Sequence, residues 1–323
     1  MGSLIGHVLP GIAFIALGLW HLLNHIKLHS LQPNSYSSFP WFPTSKMRYL
    51  ELSLIMLGSS ISIAMELFGG PKRHQPLDPD GTIPSNHLHN FEHATISLTF
   101  FTYAAFAILL DRIRIISSKT QHALTILIGS IAFAQELILF HLHSADHMGV
   151  EGQYHLLLQL VVLVSLTTTL LSIGHPRSFL VSFVRSSSIL LQGVWFIVMG
   201  YMLWTPELIP KGCFLNFEVG HKVVRCHGEA ALHRAKSLVN LQFSWFLVGI
   251  TIVSVSLYLV LDRVYGKKVE YSTLLMTAVP HEEEDDEEYS DDVESQKKIK
   301  LGDPRNYIGM AGKRSFASID IET

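Results

Sequence analysis

The chain has 323 residues, of which 48% are hydrophobic and only 16% charged, and its mean hydropathy is +0.31. A soluble domain carries about 25% charged residues, so a single water-soluble globule is excluded, and with no C-x-x-C pair and no Gly-rich phosphate loop nothing points to a zinc ribbon or a nucleotide site. The net charge of −3 hides an asymmetry: residues 282–294 hold 10 of the 27 acids, and residues 1–280 carry 18 bases against 14 acids. No nucleic-acid partner is expected from a mildly basic, apolar body.

A bilayer core needs roughly 20 apolar residues in helical form. Seven runs reach that length, at 4–23, 49–68, 91–110, 122–142, 154–173, 179–204 and 239–261. The sixth is complete only if Arg185 snorkels towards the headgroups. Lipid forces each backbone amide to find its partner within its own segment, so the prediction is an all-α, polytopic integral membrane protein, a seven-transmembrane-helix bundle. The first run reads as a retained helix and not a cleaved leader, because it lacks a basic start and a small-residue cleavage site after Trp20.

Lys and Arg favour the cytoplasmic side. The loops after the first, third and fifth runs, with the segment after the seventh, carry 11, and the other side carries 7. This predicts an extracytoplasmic N-terminus and a cytoplasmic C-terminus. Both cysteines, Cys213 and Cys226, then fall on the oxidising side, where they either close the loop as a disulfide or stay separate thiols. Residues 266–323 read as a disordered acidic cytoplasmic tail that could dock a basic protein partner.

Eighteen histidines are many for a lipid-facing chain, and ionisable groups at membrane depth mark function. His21 and His25, four residues apart, share a face near the cytoplasmic end, where interfacial packing and function stay open. His221, His227 and His233 read as ordinary loop residues. The concentration lies at the outer ends of runs two to five: Glu66, His89, Glu92, His93, His141, His143, Asp146, His147, Glu151 and His155. Glu136, His143 and His147 fall within about 40° of one another on a helix.

Imidazole and carboxylate from several helices at one depth can hold a divalent metal such as zinc. The candidate ligands are His143, His147 and His155, with His93 and Glu136 beside them. Glu92 or Asp146 would be the catalytic group that takes a proton from metal-bound water, or would orient an imidazole. In a transport version the same groups relay protons. Two alternatives remain: a haem electron carrier using His93 with His143 or His155, and a membrane scaffold acting through the tail.

Pro10-Gly11 with Gly18-Leu19-Trp20-His21, then Asn90-Phe91-Glu92-His93, and Phe140-His141-Leu142-His143-Ser144-Ala145-Asp146-His147 through Gly152-Gln153-Tyr154-His155 resemble the transmembrane protein 45 family. The Leu232-His233-Arg234-Ala235-Lys236 stretch and the tail resemble its plant, viral-response-type branch. The resemblance runs over residues 1–266 and implies a multi-pass membrane protein whose biochemical activity is not established. A second comparison, with the membrane hydrolases that include alkaline ceramidases, breaks down at the seventh run, which holds no histidine pair.

Overall fold

The computed structural model describes residues 4–69, 75–113, 116–144, 149–218 and 221–277, of which 143, 144, 221 and 267–277 are described by backbone alone. Seven α-helices follow in order: α1 Leu4–Leu31, α2 Leu50–Ala64, α3 Leu88–Arg112, α4 Ser118–Ser144, α5 Val150–Gly174, α6 Phe179–Trp204 and α7 Glu229–Thr277. Each is long and apolar enough to cross a membrane, α2 together with the π-helical turn Met65–Gly69 that continues it, and together they form the all-α seven-helix bundle. Leu54, Leu57, Ile131, Leu160 and Ile252 are among the large apolar side chains left exposed on its outside. Such a surface suits a lipid solvent and would be an aggregation liability in water.

Three boundaries depart from the runs read in the sequence. Helix α1 continues to Leu31, because His25 and Ser30 lie buried under the following loop and so face protein instead of ending the helix. Helix α7 begins at Glu229, and it continues to Thr277, so residues 266–277, assigned above to the tail, are helical. No proline interrupts that stretch. The rest of the tail, residues 278–323, lies outside the described residues.

The tightest crossing joins α1 to α6. A Cβ on Gly18 would stand 2.4 Å from the Leu190 nitrogen, and one on Gly193 would stand 2.5 Å from the Ile15 nitrogen. Glycines spaced by seven, Gly11 and Gly18 on α1, Gly193 and Gly200 on α6, let the two backbones touch, as small residues do between membrane helices. This fixes two ends of the bundle. At one, His7 of α1 meets Trp204 of α6, with ring centroids 4.5 Å apart. At the other, His25 of α1 meets Arg185 of α6.

Helices α2 and α3 run antiparallel, tied by Ser97 to Ser62 and, at its far end, by Arg48 to Asp111. The Asp111 hydrogen bond raises the already high pKa of the Arg48 guanidinium. Between α6 and α7 the chain forms a β-hairpin, β1 Cys213–Glu218 and β2 His221–Cys226, antiparallel with Cys213 opposite Cys226 and Leu215 opposite Val224. The two cysteines are joined in a disulfide. Val223 and Val224 on β2 are buried, and the Val224 amide donates to Glu151 Oε1 at the start of α5. The sequence reading took this segment as plain loop; His221 lies on β2, His227 stacks on Phe214, and His233 lies on α7 beside Glu229.

Candidate functional site

Opposite the hairpin, the loop after α1 folds back into the bundle. Tyr36, Ser38, Trp41 and Phe42 are buried, and the Ser38 amide donates to the Pro176 carbonyl at 2.6 Å. Irregular backbone at this depth is tolerated where protein covers it. Burial pushes the Tyr36 phenol up to about 12. The extension of the sixth run rests, in the sequence, on Arg185 snorkelling, and here Arg185 does not: it is 3% exposed and donates to Ser172 Oγ at 3.1 Å, to His25 Nε2 at 3.2 Å and to the Phe39 carbonyl at 3.2 Å. The folded-back loop supplies the carbonyl that a headgroup would otherwise replace.

That assignment sets the His25 tautomer. Nε2 accepts from Arg185, so Nδ1 carries the proton and donates to the Tyr36 oxygen at 2.9 Å. Beside them Glu51 of α2 accepts from three donors: His21 Nε2 at 2.7 Å, Trp20 Nε1 at 3.0 Å and the Phe42 amide at 2.9 Å. His21 Nδ1 is buried with no partner. His21 and His25 are therefore buried members of a polar network. A groove of about 540 Å³ adjoins the network, lined by His29, Tyr36, Arg177, Phe179, Phe183 and Tyr258 among others.

From this network a buried polar seam follows α5. Glu151, His155, Gln159, Ser165, Thr169 and Ser172 are all buried, and at 100° per residue they lie within about 140° of one another. Ser165 meets Ser188 of α6 at 2.9 Å. Gln159 donates to the Phe140 carbonyl at 3.3 Å, which leaves its Oε1 to accept from His141 Nδ1 at 3.2 Å. Inside the span, Gln192 of α6 donates Nε2–H to Glu136 Oε1 of α4 at 2.7 Å. Both residues are at most 1% exposed, and Glu136 Oε2 and Gln192 Oε1 have no partner.

The hairpin end is also polar. His155 Nδ1 donates to the Glu151 carbonyl at 2.9 Å, and its ring centroid lies 6.4 Å from that of His7. Helix α2 ends in a π-helical turn, Met65–Gly69, that carries buried Glu66; such turns often sit at functional sites. Glu66 accepts from Asn90 at 2.8 Å and lies 3.8 Å from His93 Nδ1. Glu92 pairs with His89 at 3.2 Å, partly exposed, one turn along α3.

The candidates from the sequence thus separate. Glu136 sits with Gln192, His93 with Glu66, His155 with Glu151 and His7, and Glu92 with His89. His143 is described by backbone alone, in the last turn of α4, and Asp146 and His147 lie outside the described residues. Among the described residues no group of three His, Cys, Asp or Glu side chains could hold a metal ion. Sequence reading passed over His7, Tyr36 and Gln192 and misplaced Arg185. The available signal was an arginine and two glutamines, Gln159 and Gln192, inside otherwise apolar runs.

Residues 122–259, from the start of α4 into α7, match the profile of a family described as "Family of unknown function (DUF716)", the family that underlies transmembrane protein 45-type proteins. The match covers the helices that carry Glu136, Gln192 and Arg185 and leaves α1 to α3 outside it.

Proposed function

We propose that this multi-pass membrane protein moves protons along its buried polar seam, with Glu136 as the central carrier and the histidines at both ends as relays. One observation carries the reading. Glu136 is enclosed by protein, one oxygen held by Gln192 and the other without a donor, while Gln192 Oε1 is an acceptor in the same condition. A bare carboxylate there keeps both atoms unsatisfied, which is costly when buried. A proton on Oε2 makes that oxygen a donor and gives Gln192 Oε1 the partner it lacks.

The remaining steps use groups that exchange protons by rotating or switching tautomer. His155 and His7 stand at the hairpin end, Gln159 and His141 next to the turn of α4 that follows Glu136, and Ser165 and Ser188 on the far side of it. His25 and the His21–Glu51 pair close the other end. Imidazoles are suited to this work because their charge changes near neutral pH.

The experiment is proton flux into proteoliposomes loaded with a pH-sensitive dye and driven by a potassium diffusion potential. Wild-type protein should acidify the lumen faster than empty vesicles, and Glu136→Gln should reduce the rate at least about tenfold, since the amide holds the same bond but carries no exchangeable acid proton. Flux equal to that of empty vesicles, or unchanged in Glu136→Gln, overturns the reading. Stoichiometric zinc in purified protein, lost in a His143→Ala, His147→Ala variant, would redirect it to metal chemistry.

A further inference from the structure

We infer that the end of the bundle opposite the hairpin contains a binding site for a small monovalent anion, built by Arg185, Tyr36, Ser182 and Ser38. The first support is a charge imbalance. Arg185 is buried, and its three hydrogen-bond partners, Ser172, His25 and the Phe39 carbonyl, are all neutral. Among the described residues no carboxylate oxygen lies within ion-pair distance of it. Glu51, the buried carboxylate of this end, is already taken by three donors. A guanidinium removed from water without an opposite charge in contact is unfavourable, and an anion in contact with it removes the penalty.

The second support is a set of unused donors. Ser182 precedes Arg185 by one turn on α6, is fully buried and has an Oγ with no partner. Ser38 precedes the Phe39 carbonyl that Arg185 bonds, is 2% exposed and also has an unpartnered Oγ. Tyr36 accepts from His25 Nδ1, so its own O–H is left to turn towards the Ser182 hydroxyl, which lies close enough to interact with it. The Ser182 and Ser38 hydroxyl protons, buried beside a fixed positive charge, suit an anion and not a cation. The burial of Arg185, Ser182 and Ser38 also favours a small free ion such as chloride over a lipid headgroup.

This site is independent of proton transfer through Glu136; only its meaning as a co-transported substrate rests on that reading. The test is thermal unfolding of the full chain in detergent, with sodium chloride titrated against sodium gluconate at constant ionic strength. An ion that binds the folded state raises the midpoint saturably. Wild-type protein should show a rise specific to chloride. A Ser38→Ala, Ser182→Ala variant, which keeps Arg185, should weaken the apparent affinity at least about tenfold through loss of two hydrogen bonds to a charged acceptor, and Arg185→Gln should abolish it. No chloride-specific rise in wild-type protein, or an unchanged affinity in the double serine variant, overturns the site. A rise produced by added phosphatidylglycerol and not by chloride would assign the guanidinium to a headgroup and overturn it too. Glu136-dependent proton flux that survives either failure removes the anion site alone; chloride binding without proton flux removes the proton reading alone.

Discussion

Gly18 of α1 lies so close to Leu190 of α6 that a Cβ on the glycine would meet the leucine nitrogen at 2.4 Å and its Cα at 2.7 Å. The atoms in the way are backbone, which cannot rotate aside. The contact determines how near His21 and His25 come to α6, and with them the geometry of the Arg185 network.

Gly18→Ala should therefore force the two helices apart, costing about 1–3 kcal/mol as overpacking does. Gly58 on α2 has nothing within 4 Å of a built Cβ, so Gly58→Ala should be neutral or slightly stabilising. Thermal unfolding of both variants in one detergent checks the contrast; equal shifts would show that the crossing is not tight.

Glu51→Gln keeps the shape of the side chain but puts an NH₂ in place of one carboxylate oxygen, opposite either His21 or the Trp20 and Phe42 donors, and removes the charge from all three. The expected loss is about 1.5–3 kcal/mol, the range for hydrogen bonds to a charged group. Trp20 emission should change with it, since the indole loses its carboxylate partner. A variant with wild-type stability and emission would contradict the network.

Tyr36 gives stability a pH dependence with a definite sign. Its phenol is pushed up to about 12 in the folded state, against about 10 in an unfolded chain. Between those values the unfolded state releases its proton first, so the contribution is complete below pH of about 10 and is lost as pH rises towards 12, amounting to at most about 2–3 kcal/mol. Tyr36→Phe should remove that part of the alkaline decline. An identical decline in wild-type and variant protein would place the phenol in water.

Reducing the Cys213–Cys226 disulfide opens a loop with a sequence separation of 13, which the chain-entropy account values at about 3 kcal/mol. The hairpin it holds buries Val224 and supplies an amide to Glu151, so unfolding of the extramembrane cap should come at lower temperature in dithiothreitol. Hydrogen exchange at the Val224 amide reads this directly, and unchanged protection after reduction would show that strand pairing holds the cap alone.

The seven helices were legible in the sequence because lipid imposes a simple local rule: a backbone in hydrocarbon must satisfy itself, and about 20 apolar residues in a row have few other solutions. The placement of Glu136 within a run was legible for the same reason, as a carboxylate where none is expected. What it faces was not. Gln192 lies 56 positions away and Arg185 lies 160 from His25, and no periodicity along one helix states which face of another it meets. The rule that an arginine near a helix end snorkels is also local, and it failed at Arg185 because the loop carrying Tyr36 and Phe39 turns inwards and offers a carbonyl. The α1–α6 crossing decided these partners: glycines bring the backbones into contact, rotation and depth become fixed together, and polar groups spread along separate runs are brought to shared levels in the bundle.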